Sequence, residues 1–175
     1  MRVWTVKCRE KKADGEEGWH WERYFDPDLS AYEEADSWGG RDWINSPRSW
    51  GYLREKASKG DIVVCYQYEG RRIIGLTLMS DDPTQDTPPS GPYNTIHLPA
   101  RRDAFSLLEE TPPLTVQRLR DRGCDPRCFG RNTQGTVFLL NAKEFGGIVD
   151  AIGEDYPHLR ASLHRWLKKA GYSAK

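Results

Sequence analysis

The chain has 175 residues, of which 37% are hydrophobic and 30% charged, and its 26 Lys and Arg balance its 26 Asp and Glu to a formal net charge of zero. That length suits one domain, residues 1–175, with a core of its own. Zero net charge excludes a polycation that binds nucleic acid by bulk electrostatics, so any such site has to be a local basic patch.

Arg2 to Cys8 alternates and is β-branched, which predicts a first strand rather than a signal peptide. The longest apolar run, Ile62 to Tyr66, is strand-sized, so the sequence is expected to be cytoplasmic and without a membrane partner. Residues 9 to 42 form a polar stretch punctuated by Asp14-Gly15, Asp26-Pro27 and Gly39-Gly40, longer than an ordinary connection and therefore functional or mobile. Five of the seven tryptophans, Trp19, Trp21, Trp38, Trp43 and Trp50, fall within 32 residues, more large rings than one core needs locally. Ser46-Pro47 is a helix start with Trp50, Leu53 and Ala57 on one face, and Lys59-Gly60-Asp61 ends it.

Ile62 to Tyr68 is a strand, Glu69-Gly70 a turn, and Arg72 to Met79 the hairpin partner. Asp81 to Pro92 reads as a loop and Asn94 to Leu98 as a strand. Thr111-Pro112 opens a helix to about Arg122, Gly123 to Asn132 is a loop, and Gly135 to Leu140 is the last strand. Asn141 with Glu144 forms a variant capping box, and Phe145, Ile148, Val149 and Ile152 mark the buried stripe of the helix that follows. After Pro157 a basic terminal helix, at about 157–171, carries Leu159, Leu163, Trp166 and Leu167 on one face. The expected class is α+β, with five to six strands in a small barrel flanked by short helices.

The ordered set Trp43-Ile44-Asn45-Ser46-Pro47, Leu53, Gly60-Asp61-Ile62-Val63-Val64 and Arg72 to Ser80 with Gly75 resembles the EVE and YTH domains of the PUA-like superfamily. Trp43 stands four residues before Pro47 and ten before Leu53, as a tryptophan does in YTH domains, and Gly130-Arg131-Asn132-Thr133-Gln134 is similar to a glycine, arginine and glutamine set there. The likeness covers roughly residues 2 to 150. The stretch from 9 to 42 is longer than in those domains, and 80–92 lacks the second tryptophan of many YTH cages.

The resemblance implies a reader of nucleic acid that holds one flipped, methylated base of DNA or RNA in an aromatic cage, without cofactor, metal or catalysis. Trp43 is the expected wall, because an aromatic face returns about 1–3 kcal/mol per stacked base. Tyr93, Trp19, Trp21 and Trp38 are alternatives for the second wall, each equally suited to a packing role. Lys7 and Cys8, at the end of the first strand where the family has a Lys-Ser pair, and Asn45 and Ser46 are expected to read the base edge, although Ser46 equally serves as a helix cap. Arg131 is the expected phosphate contact, with Arg127 and Gln134 beside it. The resemblance further implies service to restriction, defence or RNA processing, with an effector nuclease or helicase as a partner.

Two other readings stay open. A small hydrolase of modified nucleosides would use Lys7 or Lys59 with Asp61, and a protein-interaction module would expose its tryptophans as a patch. Cys124-Asp125-Pro126-Arg127-Cys128 with His158 and His164 hints at zinc, but the His spacing exceeds the usual interval by one residue and two separate thiols are expected instead.

Overall fold

The computed structural model describes residues 1–9, 20–26, 36–41, 55–86, 93–130 and 137–173, with backbone alone at 36–41, 85–86 and 93–94. Its spine is a mixed five-stranded sheet. β1 (Val3–Cys8) lies parallel to β3 (Ile62–Gln67) on one side and antiparallel to β8 (Val137–Leu140) on the other. β4 (Arg72–Leu78) returns along β3 as the predicted hairpin partner, and the two-residue β7 (Phe105–Ser106) closes that side. A second, antiparallel sheet has the order β2 (Asp36–Arg41), β6 (Tyr93–Leu98), β5 (Thr84–Asp86). β2 and β5 fall in segments read from sequence as loops. Gly39-Gly40 and the Pro-rich composition around 81–92 argue against strands locally, and pairing with β6 supplies the ladder that composition does not.

Both faces of the large sheet are covered, which is why β3 is buried at all six positions. Odd positions of β1 and even positions of β3 face three helices: α2 (Val116–Asp121), α3 (Ala142–Asp155) and α4 (Arg160–Lys169). Val3, Ile62, Val64 and Tyr66 pack there on Leu119, Phe145, Ile148, Ile152 and Leu163. The capping box is complete: the Asn141 side chain accepts from the Glu144 N–H, and Glu144 accepts from the Asn141 N–H, both at 2.9 Å. α2 begins later than its prolines suggest. Thr115 is the N-cap, and the residues before it run along the sheet, where the Leu114 carbonyl accepts from Ile73.

The opposite face receives Ile96 and Leu98 of β6 and a helix the sequence did not reveal, α1 (Trp21–Phe25). A five-residue helix has no stability of its own, so burial holds it. Trp21, Tyr24 and Phe25 are enclosed, each contributing about 1.5–3 kcal/mol. Gln67 fixes the entry, its side-chain oxygen accepting from the Trp21 backbone N–H at 2.9 Å. Gly75 of β4 lies beneath this helix: a Cβ there would sit 2.4 Å from the Phe105 carbonyl and 2.6 Å from Phe25 Cζ. No helix among the described residues is long and apolar enough to cross a membrane.

Candidate functional site

The parallel pair β1–β3 ends in two very different ways. At its amino end, buried Asp61 accepts from the Arg2 backbone N–H at 2.6 Å, from the Trp4 indole at 2.9 Å and from the Ser58 N–H at 3.1 Å. Three donors satisfy that carboxylate, so Asp61 pins strand starts. Lys7 lies at the other end of the same strand, opposite Tyr66 in register, about 13 Å along the sheet from this end. The Lys7–Asp61 pair, one of the two that the hydrolase reading would use, does not form.

At the carboxyl end a cleft of about 620 Å³ opens, within the range of small-ligand pockets. Its aromatic side is Tyr66 and Phe129, with ring centroids 4.8 Å apart and tilted by 32°, and exposed Tyr68 at the rim. Strand alternation puts Tyr66 and Tyr68 at positions i and i+2, and the Tyr68 N–H donates to the Cys8 carbonyl at 2.8 Å. Its cationic side is Lys7, Arg71 and Arg120, and no carboxylate lines it among the described residues. Arg9 adds a guanidinium 4.1 Å above the Tyr68 ring.

These cations are held differently. Arg120 is committed, donating from Nε to Asp125 at 2.9 Å and from Nη2 to the Phe129 carbonyl at 3.0 Å, which ties down the Phe129 backbone. Lys7 donates to the Cys128 carbonyl at 3.1 Å and lies 4.8 Å from the centre of the Phe138 ring. Partial burial lowers the Lys7 pKa, opposed by the nearby Cys128 thiol and reinforced by Arg9. Burial raises the Tyr66 phenol to about 12, with Arg71 pulling the other way, so the ring keeps its proton and an O–H donor.

A second cleft of about 600 Å³ differs in kind. Arg122, Arg127 and Lys143 face Asp125, Glu144, Asp150 and Glu154 there, with no aromatic ring. A mixed-charge, ring-free groove offers a nucleobase nothing to stack on.

Of the residues expected to bind a base or phosphate, Lys7 alone lies in the aromatic cleft among the described residues. Trp21 is a correction: its indole is fully buried and donates to the Val6 carbonyl at 3.1 Å, so it is core and neither lid nor wall. Cys8 is not among the residues lining the cleft: its side chain is buried in the core, and its carbonyl accepts from the Tyr68 N–H. Arg127 lines the other cleft, its side chain 89% exposed and 3.6 Å from Glu144.

Trp38 and Tyr93 sit on neighbouring strands β2 and β6, where Trp38 pairs with Ile96 and Tyr93 with Arg41. Trp19, Trp43, Asn45, Ser46, Arg131 and Gln134 lie outside the described residues, although Gly130, next to Arg131 in the chain, lines the cleft. Cys124 and Cys128 are held apart, Cys124 Sγ toward the Glu144 carbonyl and Cys128 Sγ toward Thr5 Oγ1 at 3.8 Å. The described residues contain no group of three or more His, Cys, Asp or Glu able to hold a metal.

Sequence reasoning missed Tyr66, Tyr68, Arg71 and Phe129. The signal for three of them was present: a Tyr-Gln-Tyr strand end followed by Glu-Gly-Arg-Arg places two rings and a cation at one hairpin tip.

No family model matches the chain, and no curated protein does. Solved structures share its fold. The NMR structure of Rpa0253 from Rhodopseudomonas palustris is 18% identical with a TM-score of 0.61, over 88% of this chain and 94% of that one. The crystal structure of PSPTO5229 from Pseudomonas syringae is 12% identical with a TM-score of 0.53, over 85% of this chain and 97% of that one. At these identities the likeness establishes a common α+β architecture and carries no activity with it.

Proposed function

We propose that this protein is a nucleic-acid reader of EVE/YTH type on a PUA-like barrel scaffold, and that it takes one extruded, methylated base of DNA or RNA into the cleft at the carboxyl ends of β1 and β3. The observation that carries the proposal is a cleft with three aromatic side chains, three cations and, among the described residues, no carboxylate, in a chain of zero net charge. Stacking on an exposed ring such as Tyr68 offsets the few kcal/mol lost when a base leaves its stack. Arginines at the rim meet the flanking phosphates, and the Lys7 ammonium and Tyr66 hydroxyl supply the polar contacts that stacking alone lacks. Trp43 is carried into the test as a candidate stacking ring on the strength of its spacing to Pro47 and Leu53 alone. A reader of this kind serves restriction, defence or RNA processing by delivering an effector nuclease or helicase to marked strands.

The test is a fluorescence anisotropy titration of short labelled DNA and RNA strands, unmodified and base-methylated, across a salt series, with Trp43→Ala and Tyr68→Ala alongside. Expected are salt-dependent binding, a preference for one methylated base, and a loss of about five- to thirtyfold in each variant. Equal affinity across the panel removes the modified base from the proposal, and absence of binding removes nucleic acid.

A second reading, hydrolysis of a modified nucleoside, is favoured by one observation: a half-buried lysine of lowered pKa inside a cleft. The Asp61 partner considered for it is committed elsewhere. Mass spectrometry of modified nucleosides incubated with the protein separates the two, since a reader returns them unchanged.

A further inference from the structure

We infer that Arg71 is an anion clamp built into the β3–β4 turn, its guanidinium placed to take a phosphate of the strand bound in the aromatic cleft. This deepens the nucleic-acid reading above and rests on it.

The first observation is the backbone. Arg71 has φ of +48°, directly after Gly70 at +73°. A left-handed residue in a hairpin turn is ordinarily Gly, Asn or Asp, because the Cβ of any other residue crowds the neighbouring carbonyl. A long cation at the strained position of a tight turn is a local choice that stability alone does not explain.

The second observation is the state of its side chain. Arg72, Arg118, Arg120, Arg122 and Arg127 each pair with a carboxylate, whereas among the described residues no carboxylate pairs with Arg71. The neighbours Arg71 and Arg72 thus divide the work: Arg72 ties β4 to Glu22 of α1, and exposed Arg71 faces the cleft. The third observation is support. The Arg71 N–H donates to the Tyr68 carbonyl at 3.1 Å, and Tyr68 is anchored in turn on Cys8 at 2.8 Å. The arginine therefore hangs from a backbone-anchored turn and lines the same cleft as Tyr68. A planar fork of donors on a pre-set backbone suits the two oxygens of a phosphate, and little ordering remains to be done on binding.

Three proteins test this: wild type, Arg71→Gly and Arg71→Lys. Each is melted and each is titrated against strands with and without a 5′-phosphate, over a salt series and with inorganic phosphate as competitor. Expected for Arg71→Gly is a melting temperature equal to or above wild type, because glycine relaxes the turn, together with about tenfold weaker binding. Its salt slope falls by about one unit, the signature of one lost phosphate contact. Arg71→Lys keeps the slope and loses part of the affinity, since it keeps charge without the fork.

Loss on phosphorylated strands alone assigns the clamp to a terminal phosphate, and equal loss on both strands assigns it to an internucleotide one. Wild-type affinity and slope in Arg71→Gly overturn the clamp while leaving the reader intact. A lowered melting temperature in Arg71→Gly also overturns it, by making the arginine structural. A wild-type protein that binds no strand at all overturns the reader and the clamp together.

Discussion

The amino and carboxyl ends of the β1–β3 pair hold comparable polar residues and use them in opposite ways. At the amino end, Asp61 is surrounded by three donors on Arg2, Trp4 and Ser58, and nothing is left for a ligand. At the carboxyl end, Tyr68 and Arg71 stand exposed around a cleft, and Lys7 is half-buried beside buried Tyr66. A buried polar group with all its partners stabilises a fold, whereas an accessible one with spare capacity is where a ligand finds purchase. Burial separates the two ends less than satisfaction does: both Asp61 and Tyr66 are nearly inaccessible, yet only Tyr66 borders open space.

The contrast can be broken most directly at Asp61. Asp61→Ala strands the buried Trp4 indole and two part-buried backbone N–H groups and is expected to cost about 3 kcal/mol, read as a lower urea midpoint, with the oligonucleotide affinity of the folded fraction unchanged. A loss of affinity without a loss of stability would make the two ends equivalent and dissolve the distinction. Gly75→Ala comes next. Its new methyl meets the Phe105 carbonyl and the Phe25 ring, an overpacking expected to cost about 2 kcal/mol and to free α1 for proteolysis near Phe25.

At the open end the signs reverse. Tyr68→Ala is expected to leave stability within about 0.5 kcal/mol while weakening strand binding by about 1–2 kcal/mol. A Tyr68→Ala protein that is destabilised but binds normally would move this ring from site to scaffold.

The smallest effect is a pH dependence at Cys128, in contact with Thr5 and near Lys7. Burial pushes its thiol from 9.0 up to about 12. The folded state therefore keeps a proton that the unfolded chain releases, so the contribution is complete below pH 9 and is lost as pH rises from 9 through about 12. Urea midpoints of Cys128→Ala are expected to fall less steeply than wild type across that window. An unchanged slope would show that the thiol is wet, and that the cleft reaches further into the sheet than Tyr66.

Much of the scaffold was legible because its signals are local. The run Ile62 to Gln67 is β-branched and apolar, Asn141 with Glu144 writes a capping box, and Phe145, Ile148 and Ile152 repeat at helical spacing. α1 was invisible because nothing in Trp-Glu-Arg-Tyr-Phe announces a helix; Gln67, 46 residues away, supplies its N-terminal acceptor, and the sheet buries its rings. The tryptophan cluster was only half informative. Abundance of rings signals that burial is at stake, and Trp21 shows that burial can be entirely internal.

By itself the sequence determined periodicity, caps and turns, since these depend on residues within a few positions of one another. The hairpin tip carrying Tyr68, Gly70 and Arg71 was present in that local grammar. Whether those side chains would meet Lys7 and Phe129 was decided by tertiary structure alone, through the parallel register that sets Lys7 opposite Tyr66 and the Arg120 contacts that hold Phe129 against it. Pairing across 59 residues of chain is selected by the burial of both sheet faces at once, a property no short window of sequence contains.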